Sequence, residues 1–156
     1  MYRTTADFIE EWSASAAGTL SVFKAITDDK MDVAIVEGHN SLGWLAWHLV
    51  GSAGVFGKLA GLDVPMIGKE TPIPASMAEV IAKYNEVIEA YGEAVKSLTD
   101  EQMVEVINGF GQPLPRGKFL RIMIDHQTHH RGQMTVLLRQ AGLPVPGVLG
   151  PTKEMQ

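Results

Sequence analysis

Four stretches of this chain repeat their apolar residues at the spacing of an α-helix. From Thr4 to about Thr27, Phe8, Trp12, Leu20, Phe23 and Ile26 recur on one side, and Thr4 with Asp7 makes an N-terminal cap. A second helix is expected from a cap at Asn40 or Ser41 to about Ala60, closed by Gly61. Ser76 and Glu79 have capping-box spacing and open a third, whose face runs through Val80, Ile81, Tyr84, Val87, Ile88, Tyr91 and Val95. A fourth runs from about Lys118 to Ala141, where Gly142, Leu143 and Pro144 form a stop signal.

Two connections are long. Leu62 to Ala75 holds Pro65, Gly68, Pro72 and Pro74 and reads as an ordered loop. Thr99 to Gly117 holds Asn108-Gly109, Pro113 and Pro115, with room for a short helical turn or an extended piece. No alternation is sustained enough for a substantial sheet, so the expected fold is all-α, a four-helix bundle forming one domain over residues 1–156. Gly51, Gly54 and Gly57 each weaken the second helix by about 1 kcal/mol relative to Ala. That cost implies close backbone approach, a partner subunit being one source of it.

Composition narrows the function. At 156 residues and 46% apolar content, the chain can bury a core without disulfides. It has no Cys, so any thiol chemistry must import its thiol. A net charge of −5 argues against nucleic acid as a partner. Between Glu37 and Lys58 there is no charged side chain, but His39, Asn40, Ser41, His48, Ser52 and several glycines interrupt the run, which reads as a buried helix and not a membrane span. Arg3, Asp7, Glu10 and Glu11 leave no room for a secretory signal, so a cytoplasmic location is expected.

The chemistry concentrates in His126-Gln127-Thr128-His129-His130. His126 and His130 lie one turn apart, about 40° around the helix, so their rings can converge on one ion. Their stripe continues through Phe119, Gln133 and Leu137, the face expected to point inward. His48 is the candidate third ligand, on a stripe with Ser41, Trp44, Ser52 and Val55 that is also expected to face inward. His39 precedes the helix cap and fits less well. His129 can replace His126 as a ligand, and His129, Gln133 and Trp44 are candidate pocket or supporting residues. Gln127 stands where zinc proteases of the H-E-x-x-H type carry their basic Glu, and an amide cannot take that proton. Three imidazoles suit Zn, Ni, Cu or Fe and leave a coordination position open.

The runs Gly43-Trp44-Leu45-Ala46-Trp47-His48-Leu49 and Asp125-His126-Gln127-Thr128-His129-His130-Arg131-Gly132-Gln133, with the tail Val145-Pro146-Gly147-Val148-Leu149-Gly150-Pro151, resemble the DinB-like (DinB/YfiT) family across essentially the whole chain. The resemblance implies an up-down-down-up bundle, a homodimer, and one divalent metal, Zn or Ni, on His48, His126 and His130. Its relatives of this fold include thiol S-transferases and a thiol-dependent isomerase.

Two functions follow. In one, the metal ionises a low-molecular-weight thiol cosubstrate or a water, with Trp44 and Trp47 as pocket walls or as plain core. Water would want a nearby carboxylate, for which Glu37 and Asp125 are poorly aimed. In the other, the metal is structural or sensory in a binding or stress-response module. A bundle whose histidines are merely hydrogen-bonded is the third reading. Arg131 and Gln133 can equally be cross-bundle hydrogen-bonding residues, and Gly132 a relief of crowding between helices.

Overall fold

The computed structural model describes residues 1–68 and 70–156. Its long helices are α1 (Thr5–Lys24), α2 (Leu42–Leu59), α3 (Met77–Ala94) and α5 (Arg116–Gln140), with a short α4 (Asp100–Val104) and strands β1 (Val106–Gly109) and β2 (Gln112–Pro115) between α3 and α5. The all-α expectation holds, with a small antiparallel hairpin added.

The caps fall where the side chains ask for them. Thr4 accepts from the Asp7 amide, Ser41 from Trp44 and Ser76 from Glu79, each satisfying one amide of a first turn. At the far end of α5, Gly142 adopts φ 74° while its amide donates to Arg139 O and that of Leu143 to Leu138 O, the paired bonds of a Schellman stop.

Around the bundle, α5 lies between α1 and α2, and α3 packs against those same two helices from the opposite side. Tyr2 near Gly117 and Thr19 near Gln127 set α1 and α5 running the same way. Arg116 near Ala60 and Gln127 near Leu49 set α2 against α5. The core between them is aromatic: Trp12 lies 4.6 Å from Tyr91 and 6.3 Å from Tyr84, and Phe23 lies 5.2 Å from Tyr84, ring to ring.

The connection at 99–117 contains both a helical turn and an extended piece. Thr99 and Gln102 close a full capping box on α4. The hairpin then pairs Gly109 with Gln112, so the tight turn is Phe110-Gly111 and Asn108-Gly109 lies within β1.

At two of the three α2 glycines the chain itself supplies the close approach. A Cβ at Gly54 would strike Pro65 O, and one at Gly57 would strike the Val64 side chain, because the chain's own 62–68 loop lies directly on the helix. At Gly51 the nearest atom, Ile67 Cβ, is 4.0 Å away, an ordinary contact. A Cβ at Gly132 would meet nothing within 4 Å among the described residues, so it relieves no crowding between the helices of this chain.

These glycines should therefore separate on substitution. Gly51→Ala is expected to gain up to about 1 kcal/mol from helix propensity. Gly54→Ala is expected to lose about 1–3 kcal/mol, since a backbone carbonyl must move. Urea midpoints at unchanged m-value measure the difference.

Candidate metal centre

The face that α5 buries is centred one position away from the expected stripe. Leu120, Met123, Ile124, Gln127, Arg131, Met134 and Leu138 fill the core together with Phe119 and Leu137 of that stripe, while His126 and His130 sit half-buried at its edge and Gln133 is exposed. The same displacement occurs on α2: Leu42, Leu45, Ala46, Leu49, Val50 and Ala53 are buried, whereas Ser41, His48, Ser52 and Val55 are half-buried and Trp44 is 37% exposed. Both histidine stripes therefore flank the core and face a groove between α2 and α5, instead of pointing into the interior.

Antiparallel packing of α2 on α5 brings the three imidazoles together. His48 Nε2 lies 3.2 Å from His126 Nε2, and His130 Nε2 lies 3.1 Å from the same atom. Two ligands on a tetrahedral ion at about 2.0–2.1 Å stand roughly 3.3 Å apart, so this spacing fits one shared cation. The tautomers favour one too. His130 Nδ1 donates to Gln133 Oε1 at 2.8 Å, because an amide oxygen can only accept, and the Nε2 lone pair of His130 is left facing its neighbours. His126 Nδ1 is buried with no protein partner among the described residues, so Nε2 is the atom through which that ring can be compensated.

Electrostatics keep the rings neutral. Burial lowers the pKa of His48, with a further push from His130. It lowers that of His126 to about 4, with His130, His48 and His129 adding to the effect. Burial and His129 likewise lower His130, against the opposing effect of its hydrogen bond to Gln133 Oε1. Neutral imidazole is the form that binds a metal.

Among the described residues, His48, His126 and His130 are the one group of His, Cys, Asp or Glu side chains whose ligand atoms converge, all within 4.8 Å of one another. His129 is exposed outside the trio, its Nε2 accepting from Gln133 Nε2 at 3.3 Å, so Gln133 bridges His129 and His130 on its own helix and does not reach across the bundle. Trp44 stacks on His48 with ring centres 4.8 Å apart and 10° between planes. Asp125 is held on the outside by Arg121, at 2.8 Å, and offers the cluster no carboxylate.

A cavity of about 500 Å³ opens beside the histidines, bordered by Trp44, Trp47, His48, Phe56, Phe110 and His126 among others. Of these walls, the sequence pattern had pointed to Trp44 and Trp47; Phe56 and Phe110 come from a glycine-rich helix and a hairpin turn with no signal linking them to the histidines.

The DinB family model matches residues 1–156. This chain belongs to the DinB family. YrdA of Bacillus subtilis, an uncharacterized DinB-type relative, is 37% identical over 155 residues, covering 99% of this chain and 93% of that one. A DinB-like crystal structure from Bacillus cereus is 39% identical with a TM-score of 0.90, covering 95% of this chain and 99% of that one. The DinB-like YjoA of B. subtilis shares the fold at 19% identity and TM-score 0.73, covering 91% and 97% respectively.

In this DinB chain the residue after His126 has a structural task that the sequence did not disclose. Gln127 is fully buried. Its Oε1 accepts from Thr19 Oγ1 at 3.2 Å and Tyr84 OH at 3.0 Å, and its Nε2 donates to Leu49 O at 3.2 Å. Arg131, one turn on, donates to Ser15 O at 2.7 Å and Thr19 Oγ1 at 3.1 Å, which makes it a cross-bundle residue. A polar residue four positions after Met123 and four before Arg131 was the available clue. Gln127→Ala is expected to cost about 2–4 kcal/mol through a cavity and unpaired buried groups. Gln133→Ala, at an exposed site, should cost under about 1 kcal/mol. Chemical denaturation of both variants provides the comparison.

Proposed function

We propose that this DinB-family protein holds one divalent transition metal, zinc or nickel, on His48, His126 and His130, and is an enzyme that activates an imported low-molecular-weight thiol for transfer to an electrophile. The observation that carries the reading is the convergence of three neutral imidazoles beside an open cavity, with no fourth protein ligand among the described residues. Closed sites support structure, whereas three protein ligands with an open position support chemistry.

A metal so held supplies Lewis acidity to a nucleophile at its open position. The protein's own part is to orient and to exclude water. Gln133 fixes the His130 tautomer, Trp44 braces the His48 ring, and the aromatic walls shield the reacting pair. Among the described residues no carboxylate converges on the trio to take a proton, which favours a thiol over water as the nucleophile. A thiol with pKa about 8.5 needs a shift of only one or two units to ionise near neutrality, against roughly nine for bulk water at 15.7. In the transfer, the thiolate sulfur forms a bond to the electrophilic carbon, the leaving group departs with its electron pair, and the thiol proton goes to solvent.

Protein purified without an affinity tag is expected to bind one Zn or Ni per chain by calorimetry and metal analysis. His48→Ala and His126→Ala should each weaken that binding by about 100-fold or more, while His129→Ala changes it less than about threefold. Retention of full affinity in His48→Ala overturns the assignment. Loaded protein should also consume small thiols with chlorodinitrobenzene in a His48-dependent way, and the absence of any such turnover across a thiol panel counts against the transferase reading.

A further inference from the structure

Phe110 stands where the hairpin alone would not select it. It occupies the first central position of the two-residue turn between β1 and β2 at φ 51°, followed by Gly111 at φ 81°. Such turns favour Asn, Asp or Gly there, because a Cβ at positive φ crowds the backbone, most of all for a bulky side chain. Burial does not account for the choice, since Phe110 is 58% exposed where Phe56 and Phe119 are 4% and 1%. Its ring meets those two at 5.1 Å and 5.4 Å, edge to face, and borders the cavity beside His126. Strain held at the rim of a cavity is a mark of a functional position.

The cavity itself describes its occupant. Trp44, Trp47, Phe56 and Phe110 give it aromatic walls, and none of its described lining residues carries a formal charge. Its polar groups are partly engaged: Trp47 Nε1 donates to Thr71 O at 3.4 Å, and Ser52 Oγ donates to Leu49 O at 3.3 Å. An anionic group moving in among these walls would shed its hydration with no lysine, arginine or array of donors on the described lining to replace it. A volume of about 500 Å³ suits a small molecule.

We propose that this cavity binds the uncharged aromatic body of the electrophile, and that Phe110 is a specificity-determining wall whose ring contacts it. The identity of the bound molecule as an electrophile rests on the thiol-transfer reading above, but the binding does not require the metal.

Calorimetric titration of the full chain, first stripped of metal and then loaded with zinc, tests this with 2-naphthalenemethanol and its anionic counterpart 2-naphthoate. In the metal-free protein the alcohol should bind at least tenfold more tightly than the carboxylate. Phe110→Gly should weaken the alcohol at least fivefold while leaving Tm level or higher, because glycine relaxes the turn. Phe110→Leu, which keeps an apolar side chain, should weaken it about threefold and decides the matter by the same criterion if the glycine variant loses cooperative unfolding. Equal affinity for the two probes, no binding of the alcohol, or unchanged affinity in the folded variants overturns the proposal. Failure of zinc to bind would overturn the metal reading alone, since the metal-free titration still judges the cavity.

Discussion

The side-chain amide of Gln127 joins the four long helices at one point: it belongs to α5 and bonds Thr19 of α1, Leu49 of α2 and Tyr84 of α3. Each such bond adds only about 1 kcal/mol net, yet leaving the buried partners unpaired costs about 1–3 kcal/mol apiece. Sliding α5 by one residue would displace the amide by about 1.5 Å and rotate it by about 100°, forfeiting the whole set. The register of α5 on α2 is therefore fixed at residue 127. His126 is its neighbour, and His48 is the neighbour of Leu49 on the opposite helix. A buried polar contact thus positions imidazoles that make no direct use of it.

This arrangement separates two demands on the same helices. The face through Gln127 and Arg131 must be closed and fully hydrogen-bonded, because a buried guanidinium or amide is tolerated only when its donors are satisfied. Arg131 meets that condition with Ser15, Thr19 and Thr128 and without a carboxylate. The face through His48, His126 and His130 is buried enough to keep imidazole neutral and opens on a cavity of about 500 Å³. An offset of one residue along α5 accomplishes both, since 100° of rotation turns a core position into a groove position.

The sequence made much of this legible, for identifiable reasons. Helix ends at Thr4, Ser41, Ser76, Gly61 and Gly142 depend on local chemistry and were readable as such. The convergence of His48 with the pair at 126 and 130 followed from spacing on two helices. Three things were not readable. The centre of the buried face lay one position off, because Gln127 and Arg131 look like surface residues until their partners on α1 and α3 are known. The hairpin hid behind Asn108-Gly109, a strong turn pair that the strand register passes over in favour of Phe110-Gly111. Gly54 and Gly57 answer a loop adjacent in the chain, and only coordinates show it lying on the helix.

Access to the histidines is shared between the outer face of α2 and the connections. The C-terminal tail packs Val148 against Gly18, near Arg131, in the groove between α1 and α5, while the histidines face the groove between α5 and α2. The tail therefore stabilises the side of α5 away from the site and leaves the cavity uncovered. Beside the α2 residues and His126, the cavity is bordered by Ile67, Thr71 and Ile73 from the loop after α2 and by Phe110 from the hairpin before α5. Helices packed on a common core cannot change their facing side chains without disturbing the register that Gln127 sets. Loops and hairpin tips can, so under the proposed function the two long connections are where selectivity among small molecules is free to vary while the three imidazoles stay in place.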